Sequence, residues 1–346
     1  AILLQQRLLA ERLHVARPRA PAVAEPGMLL LGMLSLVLRL PRRCISGRRA
    51  TIRCINRVLL ETHELAENGP TVLAAADRRA AHVRDLIWRS GAAETLRVGV
   101  ADGGAADVRA ALRDDGALVL ETAGAGLESP AQRPPLDVVL AIPAPLRLKR
   151  MLPVLASLDV DNLYLVGTQK VEKAYFRSHL LQGIEKSAVP LAVPPGPLRD
   201  LLLEGCEQSG VTAVPRLALC ASLPAVLRHL APNASETLRV CAHPDRGDDY
   251  RVVDDATGLL VDMPRPRRLR AIARDRETPP TRAILAVGPE RGWEEPDELA
   301  LLREHGFDLL TLGPRTLRTD VALISLLGLL NDLVAPDCVD RGPRRG

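Results

Sequence analysis

Gly288–Trp293 (GPERGW) and Gly313–Asp320 (GPRTLRTD) combine residue types that hold a small molecule through backbone atoms. Glycine lets N–H and C=O groups come close to a ligand, and proline stiffens the chain that carries them. Each loop follows an apolar run, AILAV for the first and LLTL for the second, and each leads into a predicted helix. Ligands of α/β sheets sit beyond the carboxyl ends of strands, where such loops lie. One loop of this kind is an ordinary strand-to-helix turn. Two of them, 25 residues apart, point to a shared cradle. Neither is a phosphate loop, because no G-K-[ST] follows, and Gly99–Gly104 (GVADGG) has the wrong spacing for a dinucleotide fingerprint. With no G-x-S-x-G and no H-E-x-x-H, hydrolase, zinc-protease and nucleotide-hydrolase readings lose their support.

The elements that must position these loops are visible on both sides of them. Residues 56–128 alternate short strands with tight turns. Arg57–Glu61, Thr71–Ala75, Thr95–Val100, Asp107–Leu112 and Ala117–Thr122 read as strands. ADGG (Ala101–Gly104) and DDG (Asp114–Gly116) read as turns. One helix, Asp77–Trp88, has Asp77 as N-cap and Val83, Leu86 and Ile87 on one face. This predicts a small β-barrel. The polar, Pro-rich stretch ESPAQRPP (Glu128–Pro135) supplies a linker at 129–135.

Residues 136–335 then alternate β with α. Leu136–Ile142 is apolar throughout but for one acid, as in a strand covered on both faces. Strands are predicted at Asn162–Val166, Arg216–Leu219, Thr237–Ala242, Ala283–Val287 and Leu309–Leu312. Helices are predicted at Leu148–Leu158, Leu198–Gln208, Leu223–Leu230, Pro296–Glu304 and Asp320–Leu333. The class is α/β, with a parallel sheet between helices. Asp245–Pro280 is polar, first acidic and then Arg-rich, and reads as an insertion or flexible connection.

Charge and cysteine limit the partners. Net charge is +4, but residues 1–55 hold ten Arg against Glu11 and Glu25, so the rest of the chain is net negative. Nucleic-acid contact in the body must come from local cations. With only seven aromatics, a surface that binds RNA mainly by base stacking is not expected. The six cysteines, 44, 54, 206, 220, 241 and 338, form no C-x-x-C and no zinc spacing with the seven histidines. Reduced, buried thiols and no metal are expected. The apolar run Met28–Leu38 is far short of the ~20 residues that span a bilayer, so no membrane anchor is expected. Residues 1–55, Arg-rich and acid-poor, read as a leader that targets an organelle, chloroplast or mitochondrion. Without targeting by that leader the expectation is cytoplasmic. Residues 336–346 form a tail.

VGPERGW followed by LGPRTLRTDVA resembles the SPOUT-class methyltransferases. It is most similar to the ribosomal small-subunit methyltransferase E family, which makes 3-methyluridine in 16S-type rRNA. CEQSG (Cys206–Gly210), VPRL (Val214–Leu217) and AHP (Ala242–Pro244) extend the resemblance. RVLL, RAAHVRDLI and LRVGVADGG are similar to that family's PUA-like RNA-binding barrel. The resemblance spans about residues 56–335. It implies a SPOUT-type α/β trefoil-knot methyltransferase domain preceded by a PUA-like β-barrel, with S-adenosyl-L-methionine as cofactor, a homodimer, and rRNA of the small subunit as partner. Carried over by position, the cofactor pocket is Ala242, His243 and Pro244; Gly288, Pro289, Glu290 and Gly292; and Leu312, Gly313, Arg315, Leu317, Arg318 and Thr319. The chain departs from the family pattern at Arg291, at Asp320–Val321 and at SLDV (Ser157–Val160).

The implied reaction is direct methyl transfer to uracil N3. Arg318 is the candidate for stabilising anionic charge on the ring; a guanidinium stays protonated and cannot be the base. Asp320 or Glu290 is the candidate proton acceptor. RNA-binding candidates are Arg78, Arg79, Arg84 and Arg89, then Arg147, Lys149 and Arg150, with a third cluster at Arg265, Arg267, Arg268 and Arg270. His82 reads as structural and His243 as pocket lining. The alternatives are a non-catalytic RNA-binding or ribosome-assembly factor on the same fold, and a SPOUT enzyme acting on tRNA or a ribose 2′-hydroxyl.

Overall fold

Short β-prone runs between tight turns pair with one another in the N-terminal part of the chain. The computed structural model describes residues 57–334, apart from 67–68, 88–93, 128–130, 132, 231–235, 246, 248–250, 254–259 and 263. The expected leader and tail, and the candidate Arg89, lie outside these residues. Strands β1 (Val58–Leu60), β2 (Thr71–Leu73), β3 (Glu94–Val100), β4 (Ala105–Leu112) and β5 (Leu118–Leu120) form one sheet in the order β1-β3-β4-β5-β2. β1 runs parallel to β3, and the other neighbours are antiparallel. β1 and β2 are the two edges of this sheet, so it stays open at that seam. Leu60, Leu96, Val98, Leu118 and Leu120 fill its core with Val83.

Asp77 caps the barrel helix as expected, its carboxylate accepting from the Arg79 N–H at 2.7 Å. The helix is shorter than its periodicity suggested. α1 covers Arg78–His82, and Val83–Ile87 follows as a wider π turn.

Beyond the linker lies a six-stranded sheet: β6 (Leu136–Ala141), β7 (Val160–Val166), β8 (Arg216–Cys220), β9 (Thr237–Ala242), β12 (Arg282–Val287) and β13 (Asp308–Leu310), in the order β13-β9-β12-β6-β7-β8. Every neighbouring pair is parallel. Alternate side chains therefore serve two cores. Val138, Leu140, Leu163, Leu165 and Leu285 face α2 (Pro145–Ser157), α3 (Pro197–Ser209) and the last helix, α7 (Thr319–Val334). Val139, Tyr164, Val166, Ile284 and Ala286 face α4 (Leu223–His229) and α6 (Asp297–Glu304). Double cover is why β6 reads as almost unbroken apolar sequence. Its one acid, Asp137, is buried but accepts from Arg282 on β12 at 2.6 and 2.9 Å and from Asn162 on β7 at 2.7 Å.

Two expectations need correction. Leu148 is not the start of α2; the helix opens at Pro145, whose missing N–H costs nothing in the first turn. The segment 245–280 is not simply a flexible connection. It carries a hairpin, β10 (Arg251–Val253) with β11 (Leu260–Asp262), and a helix, α5 (Leu269–Arg274), that buries Ile272. Backbone bonds from Arg267 N–H to Leu309 O and from Thr311 N–H to Arg267 O stitch it to the end of β13. Polar composition conceals this, because part of the anchoring is backbone.

Cys206, Cys220 and Cys241 are free and buried. Burial pushes the Cys206 thiol up to about 12 and Cys220 up to about 11, so neither is a thiolate at neutral pH.

Candidate functional site

β9 lies between β13 and β12, so the three loops that leave their carboxyl ends are neighbours. The His243 N–H donates to Leu310 O at 2.9 Å and holds the β9 exit against β13. Together the loops enclose a cavity of 710 Å³, within the usual size of a small-molecule site. The structure brings twelve sequence-predicted residues to its wall: Ala242, His243, Pro244, Gly288, Pro289, Glu290, Gly292, Leu312, Gly313, Arg315, Leu317 and Thr319. It adds Asp245, Arg291, Trp293, Glu295 and Thr311, which sequence reasoning missed. Arg318 lies between Leu317 and Thr319 of this wall. It lines the adjacent cavity.

Local packing explains the residue types. The buried Trp293 indole folds back against Gly288, and a Cβ there would come within 3.1 Å of the ring. Only glycine fits without moving the tryptophan. Beneath them Cys241 is fully buried, which pushes its thiol up. Gly313 has φ of +120°, a conformation L side chains rarely adopt, and the Arg268 guanidinium lies where a Cβ would be, 2.6 Å away. Arg268 also donates to Leu312 O at 2.6 Å. The supposed insertion thus braces the second loop. Thr311 Oγ1 accepts from the Gly313 N–H at 3.0 Å.

The first loop is braced from the β7 side. The buried Glu298 carboxylate accepts from the N–H groups of Glu294 and Gln169, both at 2.8 Å. Lys170 donates to Trp293 O at 2.8 Å. On the cavity wall, His243 places Nδ1 2.9 Å from Pro244 O and Nε2 3.0 Å from Glu295 Oε1. The site is therefore a stiff cradle of backbone groups with apolar Leu312 and Leu317 on its walls, and Glu290, Glu295, Arg291 and Arg315 supplying charge.

A second cavity, of 330 Å³, lies between α2 and α7. Arg147, Arg150, Arg318 and Asp320 line it together with Met151, Leu155, Leu323 and Leu327. Arg147 Nη1 donates to Glu290 Oε1 at 2.6 Å and so ties this cavity to the first. Arg318 donates to Asp320 at 2.7 Å. Both candidate proton acceptors thus sit in ion pairs at the shoulder where the cavities meet.

The candidate RNA cations divide. Lys149 and Arg150 are exposed on α2. Arg84 is paired with its neighbour Asp85 at 2.8 Å, and Arg78 with Glu207 at 2.6 Å. Arg79 is not a surface cation. Its side chain is 13% exposed, and its guanidinium bonds Glu64, Asp77 and Leu59 O. The internal partners leave it no donor face for RNA, and it is a structural residue. In the third cluster Arg267 pairs with Asp275 and Asp308. Among the described residues no group of His, Cys, Asp and Glu could hold a metal, and no helix is long and apolar enough to cross a membrane.

A sequence profile described as an RNA methyltransferase domain matches residues 130–331. The ribosomal RNA small subunit methyltransferase E of Treponema pallidum (strain Nichols) is 28% identical over 268 residues, which cover 78% of this chain and 87% of that protein. The ribosomal RNA small subunit methyltransferase E 1 of Borreliella burgdorferi is 21% identical over 190 residues, covering 55% and 64%. Among solved structures, the ribosomal RNA small subunit methyltransferase E of Neisseria gonorrhoeae bound to S-adenosyl methionine superposes with a TM-score of 0.52 at 20% identity, covering 80% of this chain and 97% of that one. The last likeness is one of fold.

Proposed function

Because the chain belongs to the RNA methyltransferase domain family, we propose that it transfers the methyl group of S-adenosyl-L-methionine to N3 of a uridine in small-subunit, 16S-type rRNA. The six-stranded parallel sheet between helices and the open five-stranded sheet before it support a SPOUT-type α/β trefoil-knot methyltransferase domain behind a small PUA-like barrel. The observation that carries the reading is the meeting of three strand-end loops in one cavity, with Arg318 and Asp320 at its edge.

The cavity suits the donor. Stiff backbone of Gly288–Gly292 and Leu312–Gly313 can bond the edges of adenine, and Leu312 and Leu317 can cover its faces. S-adenosylmethionine supplies a methyl group already activated on a sulfonium, so the protein's work is orientation and charge. Uracil N3 carries a weakly acidic proton. With the donor bound, Glu290 or Asp320 would accept that proton, and Arg318 would stabilise the negative charge on the ring. Neither carboxylate needs to leave its arginine, since each has lone pairs beyond those already bonded. Arg147, Lys149 and Arg150 stand beside the same edge and are the favoured RNA contacts, with Arg78 and Arg84 on the barrel.

We place the chain in a homodimer. Leu146, Val321, Ile324 and Leu329 are exposed large apolar side chains at the start of α2 and along α7. A second copy is the occupant that would cover them and complete the site. Residues 1–55 are proposed to direct the chain to an organelle; a reporter fused to them that stays in the cytosol would remove that part.

The test is direct. A deletion strain is expected to lack one 3-methyluridine in its small-subunit rRNA, and purified protein to restore it. Arg318→Ala is expected to cut kcat at least ~100-fold with donor affinity intact. Methylation at the wild-type rate in that variant would overturn the assignment. Saturable donor binding without transfer to rRNA would point instead to an assembly factor. A methylated tRNA or ribose would point to another enzyme of the class.

A further inference from the structure

The turn Ala101–Gly104 joins β3 to β4, and a two-strand turn needs nothing more than glycine and a small polar residue. This one does more. Asp102 adopts φ of +60° and turns its peptide and its carboxylate away from the barrel. Its N–H donates to Thr212 O at 2.7 Å, and its Oδ1 accepts from the Val214 N–H at 3.1 Å. Thr212 and Val214 lie in the segment that enters β8. Asp102 Oδ1 also accepts from Arg133 Nη1 at 2.8 Å, and Asp102 O from the Ala131 N–H at 3.1 Å, both in the linker.

Arg133 carries the connection onward. Its Nε donates to Asp161 Oδ1 at 2.6 Å and its Nη1 to Val214 O at 3.1 Å. The buried Asp161 is shared with Arg282 at 2.7 Å, and Arg282 binds the buried Asp137. A continuous chain of charge-assisted hydrogen bonds therefore runs from the barrel turn to the amino ends of β7, β12 and β6. β12 is the strand whose other end opens the donor loop.

The barrel has a second attachment, along α3. Glu61 accepts from Arg199 at 2.6 and 2.8 Å, Glu207 accepts from Arg78 at 2.6 Å, and the Arg57 N–H donates to Glu207 O at 3.1 Å. A body held along one helix can still rock about it. A second fixed point, off that line, removes the motion. We infer that Asp102 is a positioning residue: through Thr212, Val214 and Arg133 it sets the orientation of the barrel on the catalytic domain, and with it the presentation of barrel-bound RNA to the donor cavity. The orientation follows from contacts alone; the consequence for RNA rests on the reading under Proposed function.

Asp102→Gly isolates the carboxylate. Glycine keeps the positive φ and the N–H bond to Thr212 O, and deletes only the side chain. Asp102→Asn is the conservative partner, since its amide oxygen still accepts from Val214 and Arg133. In Asp102→Gly the KM for rRNA is expected to rise about tenfold or more, with kcat and the affinity for S-adenosylmethionine within twofold of wild type. Asp102→Asn is expected to recover most of the loss. Amide exchange at Val214 should quicken in Asp102→Gly and not in Asp102→Asn, while the melting of the whole chain changes little. Unchanged Val214 exchange in Asp102→Gly overturns the inference whatever the enzyme does. So does a parallel fall in kcat and donor affinity, which marks general damage. If wild-type protein binds no donor and methylates no RNA, the functional reading fails, and Val214 exchange still decides the orientation.

Discussion

The Arg318 side chain is two-thirds exposed, and among the described residues its ion-pair partner is Asp320. An exposed guanidinium contributes little to stability, so its loss is expected to register in catalysis and not in melting. The opposite holds for Gly288. Gly288→Ala sets a methyl 3.1 Å from the buried Trp293 ring, which must then shift by a few tenths of an ångström, and overpacking of this kind costs about 1 kcal/mol. Titration calorimetry is expected to show donor affinity about tenfold weaker, because the displaced tryptophan is itself part of the wall. At this scale much of the site is legible in sequence. Glycine and proline after an apolar strand carry their purpose in their residue types. The bracing side chains do not. Arg268 meets Leu312 44 residues away and Lys170 meets Trp293 123 away, and nothing local in either sequence signals the partner.

The barrel helix shows the same limit at the level of an element. Asp77 is recognisable as a cap from its position before the periodic run. Arg79 is not recognisable as buried, because one of its partners, Glu64, lies in a single 3-10 turn (Thr62–Glu64) too short to show a periodicity. Burial alone would raise the Glu64 and Asp77 carboxyls, but hydrogen bonds from Arg79 outweigh it and hold both below the ordinary carboxylate range. Carboxyls held down in the folded chain contribute stability in full above their unfolded pKa of about 4, and that contribution is lost as pH falls through the folded value. Arg79→Ala is expected to destabilise by about 3 kcal/mol at neutral pH, as when one partner of a buried pair is removed. Between about pH 5 and about pH 3 the melting temperature of wild type is expected to fall more steeply than that of the variant. Parallel acid limbs would show that Arg79 does not hold these two groups. The strands were easier to read than the helix because β6 and its neighbours are covered on both faces, so composition alone marks them. The segment 245–280 is harder, since part of its contact with β13 is made by peptide groups.

For the whole molecule, the proposed dimer is open to a single substitution. Ile324→Asp puts a charge on the exposed apolar face of α7. Sedimentation is expected to shift from dimer to monomer, with methylation dropping to about a tenth, as for loss of a central interface residue. A dimer that survives this change uses another face. The order of strands has one more consequence, for biosynthesis. β6 sits between β12 and β7, yet β12 is synthesised about 140 residues after it, and β9 has no place on the sheet until β12 arrives. The barrel, whose pairings are closer in sequence, can be complete while translation continues; the donor cradle cannot exist until α7 has been made. Long-range parallel pairing of this kind matures slowly. A nascent chain halted before residue 319 is therefore expected to display a finished barrel on an unfinished enzyme.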